Sequence, residues 1–309
     1  RMRILGIPLG WILHFCYSLV QNYGLALVMF TVLARLILLP LSIKQQKGMV
    51  KMAMFRPKME EIQKKYAKNP QKMNEELTNL YAREGYNPMS GCLPTLIQFP
   101  ILFGLIDVIY NPLTHLLRMD AATISNAVSI AQSVLGEGGM SRYSKEMSVI
   151  SAVAQNPAAF SSIGGDFVSQ IQNFDFTFFG LDLGTTPSFA LNLFLLIPIL
   201  SGLTSFLMSW LSMKNNAMPN EGSTAAMNRS MMIMMPLMSL WIGYSMPAAI
   251  SIYWIAQAVF GMVQEIILNN HFKKAYAEED EIKRKAAEIR RQAEAEKERQ
   301  RQLRREQNP

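Results

Sequence analysis

The apolar residues of this chain are gathered into runs of about 17–25 residues, the length that crosses a bilayer as a helix. A backbone in hydrocarbon has to satisfy its own polar groups, so runs of this kind commit a chain to membrane helices. The first clear run is 24–43 (GLALVMFTVLARLILLPLSI); the others are 93–110, 188–213, 229–246 and 249–268. Pro40, Pro100, Pro198 and Pro236 fall inside them. Membrane helices tolerate such breaks when neighbours satisfy the freed groups. An earlier stretch, 4–21, is interrupted by Pro8, Gly10 and His14, with only Asn22 and Tyr23 to turn the chain back. It could span, but residues 1–23 are better read as an amphipathic helix lying in the outer interface, with Trp11, Phe15 and Tyr17 at headgroup depth.

Charge orients these helices. The net charge is +7, and the segment 44–88 holds ten basic residues whereas 111–187 holds three, Arg118, Arg142 and Lys145. Basic loops mark the cytoplasm. Segments 44–88, 214–228 and the tail 269–309 are therefore expected inside and 111–187 outside, with the N-terminus outside. The expected fold is an all-α membrane protein with five transmembrane helices, an interfacial N-terminal helix and a cytoplasmic helical hairpin.

The hairpin is read from 44–88. Met52, Phe55, Met59, Ile62 and Tyr66 recur at steps of three and four and make one apolar stripe. Asn69-Pro70 stops that helix and starts another, in which Met73, Leu77, Leu80 and Tyr81 form a second stripe before Gly85, Asn87 and Pro88. The outer segment 120–170, rich in Ala, Ser, Gly and Gln, is assigned short helices. The tail alternates charge at helical spacing, which suits either a solvated helix or disorder.

Conventional catalysis finds no footing here. There is no phosphate loop, no metal-ligand spacing and no nucleophile beside a base. Cys16 and Cys92 are expected on opposite sides of the membrane, and His14, His115 and His271 sit in three separate segments. No cofactor, no metal and no enzymatic activity are expected, and no secretory cleavage signal is evident.

Arg35 is the residue that carries chemistry. It lies near the middle of an otherwise apolar run, and an arginine costs at least about 2.5–3.5 kcal/mol at the bilayer centre. Asp107 and Glu265, the acids within the runs, sit near their ends, so an ion pair is disfavoured. Gln98, Gln257, Ser239, Thr204 and Ser205 offer polar neighbours at comparable or deeper levels, which fits a hydrated groove better. The plain alternative is snorkelling to the inner interface. The Met clusters at 49–59 and 227–238 read as flexible core filling or as a deformable surface for varied partners.

At these residues the sequence resembles the YidC family of membrane protein insertases, with its Oxa-type and Alb-type relatives. The likeness rests on NYGLALVMFTVLARLILLPLSIKQ, MFRPKMEEIQKKY, LYAREGYNPMSGCLPTLIQFPILFGL, FDFTFFGLDLGTTPS and PAAISIYWIAQAVFGMVQ, which occur in the family's order over most of residues 7–270. Five spans without a large outer domain near the N-terminus look like the Gram-positive form. The resemblance puts the groove arginine on Arg35, the second-run glutamine on Gln98 and the last-run aromatic pair on Tyr253 and Trp254; Gln257 and Trp241 join the groove candidates. It implies a groove closed outside but open to cytoplasm and lipid, and a mobile hairpin that first receives substrate through Met52, Phe55, Met59 and Tyr66. Two departures stand out. Ala256-Gln257 follow Ile255 where the family usually has a small polar residue, and the 120–170 insertion exceeds the usual outer loop.

The resemblance implies insertion and folding of nascent membrane proteins in a bacterial cell membrane. Implied partners are nascent membrane proteins, lipids, the ribosome, the Sec translocon and the signal-recognition-particle receptor. Lys273, Lys274, Arg304 and Arg305 of the basic tail are the expected ribosome or lipid contacts. The rival reading is a small-solute or anion transporter with Arg35 as its binding charge, although no repeat links runs 1–2 with runs 3–5.

Overall fold

The computed structural model describes residues 3–85, 93–141, 144–187, 192–215 and 223–307. These residues are mostly helical. Helix α1 (Arg3–Val20) packs along α5 (Leu93–Tyr110) and against α2 (Tyr23–Ile37). Its contact with the segment after α5 is close: a Cβ on Gly10 would sit 2.8 Å from His115 Nδ1. A two-residue turn at Gln21 and Asn22 leads into α2, and the Asn22 side chain caps that helix by accepting from Leu25 N at 3.0 Å.

The first apolar run is not one straight helix. Helix α2 stops at Ile37 rather than Ile43, and α3 (Leu39–Lys65) departs from it at 62°. Pro40 explains the break. It has no N–H to continue the ladder of α2, yet it is well placed in the first turn of α3. Helix α4 (Pro70–Arg83) returns along α3 after an Asn69 cap that accepts from Lys72 N at 3.1 Å. Tyr81 Oη donates to Met59 Sδ at 3.6 Å, and Glu84 receives Lys58 Nζ at 3.0 Å on its carboxylate and Lys51 Nζ at 2.8 Å on its carbonyl.

Residues 112–173 build a core of their own from α6 (Pro112–His115), α7 (Ala121–Leu135), α8 (Lys145–Gln155) and α9 (Gly165–Gln172). Leu113, Ala127, Ala131, Val149, Val153, Phe160, Phe167 and Ile171 fill it. Small residues on α7 let α8 approach closely, so a segment with little hydrophobic patterning still packs. A short antiparallel hairpin follows, β1 (Thr177–Phe178) with β2 (Leu181–Asp182), which the sequence pattern did not announce. Aromatic rings tie this region to the main core: Tyr23 lies 4.6 Å from Phe176 and 5.9 Å from Phe174 between ring centroids.

Helices α10 (Leu196–Asn215) and α11 (Ser223–Ser245) pair along their length. Three buried hydroxyls lock them: Ser239 Oγ lies 2.7 Å from Ser201 Oγ and 2.9 Å from Ser205 Oγ. Helix α12 (Ala248–Gln307) is a single helix of 60 residues that carries both the last apolar run and the charged tail. Of the two forms open to the tail, it takes the helix, with a Lys285–Glu281 pair at 2.7 Å on its surface. Among the described residues two helices are long and apolar enough to cross a membrane, Leu193–Asn215 and the one that begins at Ala248, or three if the bent pair α2–α3 counts as one span. Phe99–Tyr110 and Met232–Ser245 are shorter apolar helices, as are Gly6–Val20 and Ala121–Leu135.

The 112–173 core contains a buried carboxylate. Glu146 accepts from Thr114 N at 3.0 Å and from Thr114 Oγ1 at 2.6 Å. Burial pushes its carboxyl above the ordinary carboxylate range, against the pull of these hydrogen bonds. An acid whose folded-state pKa is raised binds its proton more tightly folded than unfolded. Its contribution to stability therefore falls as pH rises from the ordinary value through the raised one. Thermal unfolding in detergent is expected to show this loss in that pH window, and Glu146→Gln is expected to flatten it.

Candidate functional site at the contact of α2 and α12

Arg35 sits in the last turn of α2, two residues before the chain bends. A cation in the last turn complements the exposed carbonyls of the helix end. Its side chain lies across one face of α12 that repeats at steps of four and three. Nε donates to Gln257 Oε1 at 3.1 Å, Nη2 donates to the Gln257 carbonyl at 2.7 Å, and Nη1 makes a longer contact of 3.4 Å with Gln264 Oε1. One turn above, Tyr253 is buried against Phe30 with 6.5 Å between ring centroids.

The acids of the apolar helices are engaged elsewhere. Asp107 Oδ2 lies 3.0 Å from His115 Nε2 and its Oδ1 accepts from Asn111 Nδ2 at 3.1 Å. Glu265 accepts from Asn215 Nδ2 at 3.1 Å. Among the described residues no carboxylate forms an ion pair with Arg35. A guanidinium has five N–H donors, and these neighbours engage three of them. The residue is half-buried, so part of it remains open to its surroundings.

Not every residue singled out from the sequence gathers here. Gln257 and Tyr253 do, and Trp254 is half-buried on the same helix. Trp241 does not: it is 65% exposed on α11. Ser205 and Ser239 are consumed by the lock between α10 and α11, and Thr204 Oγ1 returns to the Leu200 carbonyl of its own helix at 2.8 Å. The side chains of Gln98, Arg304 and Arg305 lie outside the described residues. Lys273 and Lys274 are exposed on α12. In the hairpin Met52 and Met59 are buried, Met59 beside Tyr81 of α4, and Phe55 and Tyr66 remain partly accessible. Gln264 was missed, although its spacing from Gln257 already placed both on one helical face.

The family described as 60Kd inner membrane protein matches residues 15–278. The chain belongs to this family, the YidC-type proteins. It is similar to membrane protein insertase YidC 2 of Listeria innocua, 28% identical over 91% of this chain and 79% of that protein. It is also similar to membrane protein insertase YidC of Caldanaerobacter subterraneus, 29% identical over 88% of this chain and 97% of the relative. The YidC protein of Pediococcus pentosaceus is 31% identical over 82% of this chain and 68% of its own length. Family and apolar helices together make this YidC-type chain a bacterial membrane protein. The matched span contains Arg35, Gln257 and Gln264.

The polar contacts of this YidC-type site should be measurable. Gln257→Ala removes an acceptor from a half-buried cation, and a loss on the order of 1 kcal/mol is expected, read as a lower unfolding midpoint in detergent. Gln264→Ala removes only the longer contact and is expected to shift the midpoint less.

Proposed function

We propose that this protein inserts nascent membrane proteins into the bilayer, with Arg35 receiving the polar outer segment of the substrate. Its relatives are named as membrane protein insertases, and this supports an insertase role. The observation that carries the mechanism is a half-buried guanidinium, held by neutral groups and paired with no carboxylate among the described residues, at the end of an apolar helix.

In this reading five helices span the membrane, with the N-terminus outside and the tail in the cytoplasm, as the loop charges favour. Residues 1–23 lie at the outer surface and α3–α4 form the cytoplasmic hairpin. A substrate reaches the hairpin from the ribosome, which contacts the basic tail through residues such as Lys273 and Lys274. Phe55 and Tyr66 give the hairpin accessible aromatic surface for an apolar segment. A short polar stretch of the substrate then enters a water-filled groove at Arg35, where the free edge of the guanidinium attracts its acidic side chains. Polar neighbours and water reduce the cost of moving that stretch across hydrocarbon. The apolar helix of the substrate partitions into lipid, gaining about 0.8 kcal/mol per buried methylene, so nucleotide hydrolysis is not needed to drive the step.

The deciding experiment is insertion of single-span substrates with acidic outer tails into liposomes that contain the purified protein. Arg35→Ala is expected to lower the yield several-fold, and Arg35→Lys to keep most of it if charge is what matters. Equal yields for wild type and Arg35→Ala across several such substrates would sink the mechanism.

A further inference from the structure

Gly261 stands in the interior of α12, more than three turns past its start, where glycine is a poor helix former and the backbone gains nothing from its freedom. Its surroundings supply the reason. A Cβ built at 261 would meet three atoms before any other, all of them from one group: Arg35 Nη2 at 2.7 Å, Cζ at 3.1 Å and Nη1 at 3.2 Å. The guanidinium therefore lies in the space that any other residue would fill.

The helical geometry adds a second role for the same absence. In an α-helix the carbonyl of residue i points towards residue i+4. Gly261 is the residue four beyond Gln257, and the Gln257 carbonyl accepts from Arg35 Nη2 at 2.7 Å. A side chain at 261 would shadow that oxygen. Bare backbone there leaves its second lone pair open to a donor from α2 while the first serves the helix.

We infer that Gly261 is a positioning residue for Arg35: its missing side chain forms the slot in which the guanidinium lies flat on α12. Gln257 grips one edge of the group and Gln264 closes the end of the slot. This inference rests on the proposed role of Arg35, and it adds that the reach of the arginine is set by α12 and not by α2 alone. A methyl group at 261 lifts the guanidinium off the Gln257 carbonyl and swings it towards the open side. A lysine at 35 has a single compact ammonium in place of the planar fork, so it does not need the slot.

The test is liposome insertion of two single-span substrates, one with an acidic outer tail and one with a neutral tail, by wild type, Gly261→Ala, Arg35→Ala, Arg35→Lys and the double variant Arg35→Lys/Gly261→Ala. Gly261→Ala is expected to lower insertion of the acidic-tailed substrate several-fold and to leave the neutral one unchanged, and the double variant to insert as well as Arg35→Lys alone. A general packing defect would lower both substrates equally and would not be relieved by lysine; that outcome overturns the inference, as does a Gly261→Ala protein equal to wild type on the acidic substrate. A second readout is independent of insertion: mass-spectrometric measurement of phenylglyoxal modification at Arg35, expected to be faster in Gly261→Ala than in wild type. Equal rates overturn the slot. If Arg35→Ala inserts the acidic substrate as well as wild type does, the proposed function fails, and the modification rate still decides whether Gly261 positions the guanidinium.

Discussion

A guanidinium placed among apolar helices has to find acceptors or water, because stripping it of both costs several kcal/mol. The packing around Arg35 answers that demand without an ion pair. Two amides and a backbone carbonyl, all from α12, take three of its N–H groups. A carboxylate in the same place would neutralise the charge and close the site to an acidic ligand. Neutral acceptors hold the group in position and leave its charge unspent. In the proposed function that difference suits the arginine to transient contact with a passing chain rather than to structural bracing.

Several polar groups elsewhere in the apolar helices are arranged on the opposite principle. Asp107 faces His115 and Asn111, Glu265 faces Asn215, and the three serines of α10 and α11 face one another. Each of these sets is closed on itself and joins two segments of the chain, as hydrogen bonds do between membrane helices. The pairing of α10 with α11 forms one unit, and the face of α12 that meets α2 forms another. Tyr253 and Phe30 lie next to that polar face and anchor it in the apolar core.

The 62° bend after Ile37 joins the site to the hairpin. It brings Arg35 to a helix end, and it sends α3 along α12, whose continuation into the charged tail provides the second wall. A cavity of about 720 Å³ lies in this angle, lined by Lys44, Lys47, Lys51 and Lys58 of α3 and by Tyr276, Glu279 and Asp280 of α12. Met52 and Met59 are both buried in this arrangement, Met59 beside Tyr81 of α4. In the proposed function an arriving segment would therefore meet the partly accessible Phe55 and Tyr66 first, and use of Met59 would require α4 to move from α3.

Much of this was legible in the residue order. Apolar runs of spanning length determine a helical membrane protein, because no other backbone arrangement survives in hydrocarbon without a closed barrel. The motifs around Arg35 and Tyr253-Trp254 pointed to the family, and Asn69-Pro70 marked a helix boundary through capping chemistry that acts within a few residues. Local chemistry of that kind is written in the chain itself. Tertiary packing decided the rest. Whether Pro40 kinks a span or ends it depends on which neighbours satisfy the freed groups, and here α3 leaves the axis of α2. Which polar residues surround Arg35 depends on how α12 is rotated against α2, so Gln257 and Gln264 meet it while Ser205 and Ser239 turn to each other. The core of 112–173 forms from small residues whose pattern carries little signal, because alanines and serines become informative only when a second helix approaches them. The sequence by itself determined that a costly cation must be accommodated; only the fold decided that a glycine and two glutamines on one distant helix would do it.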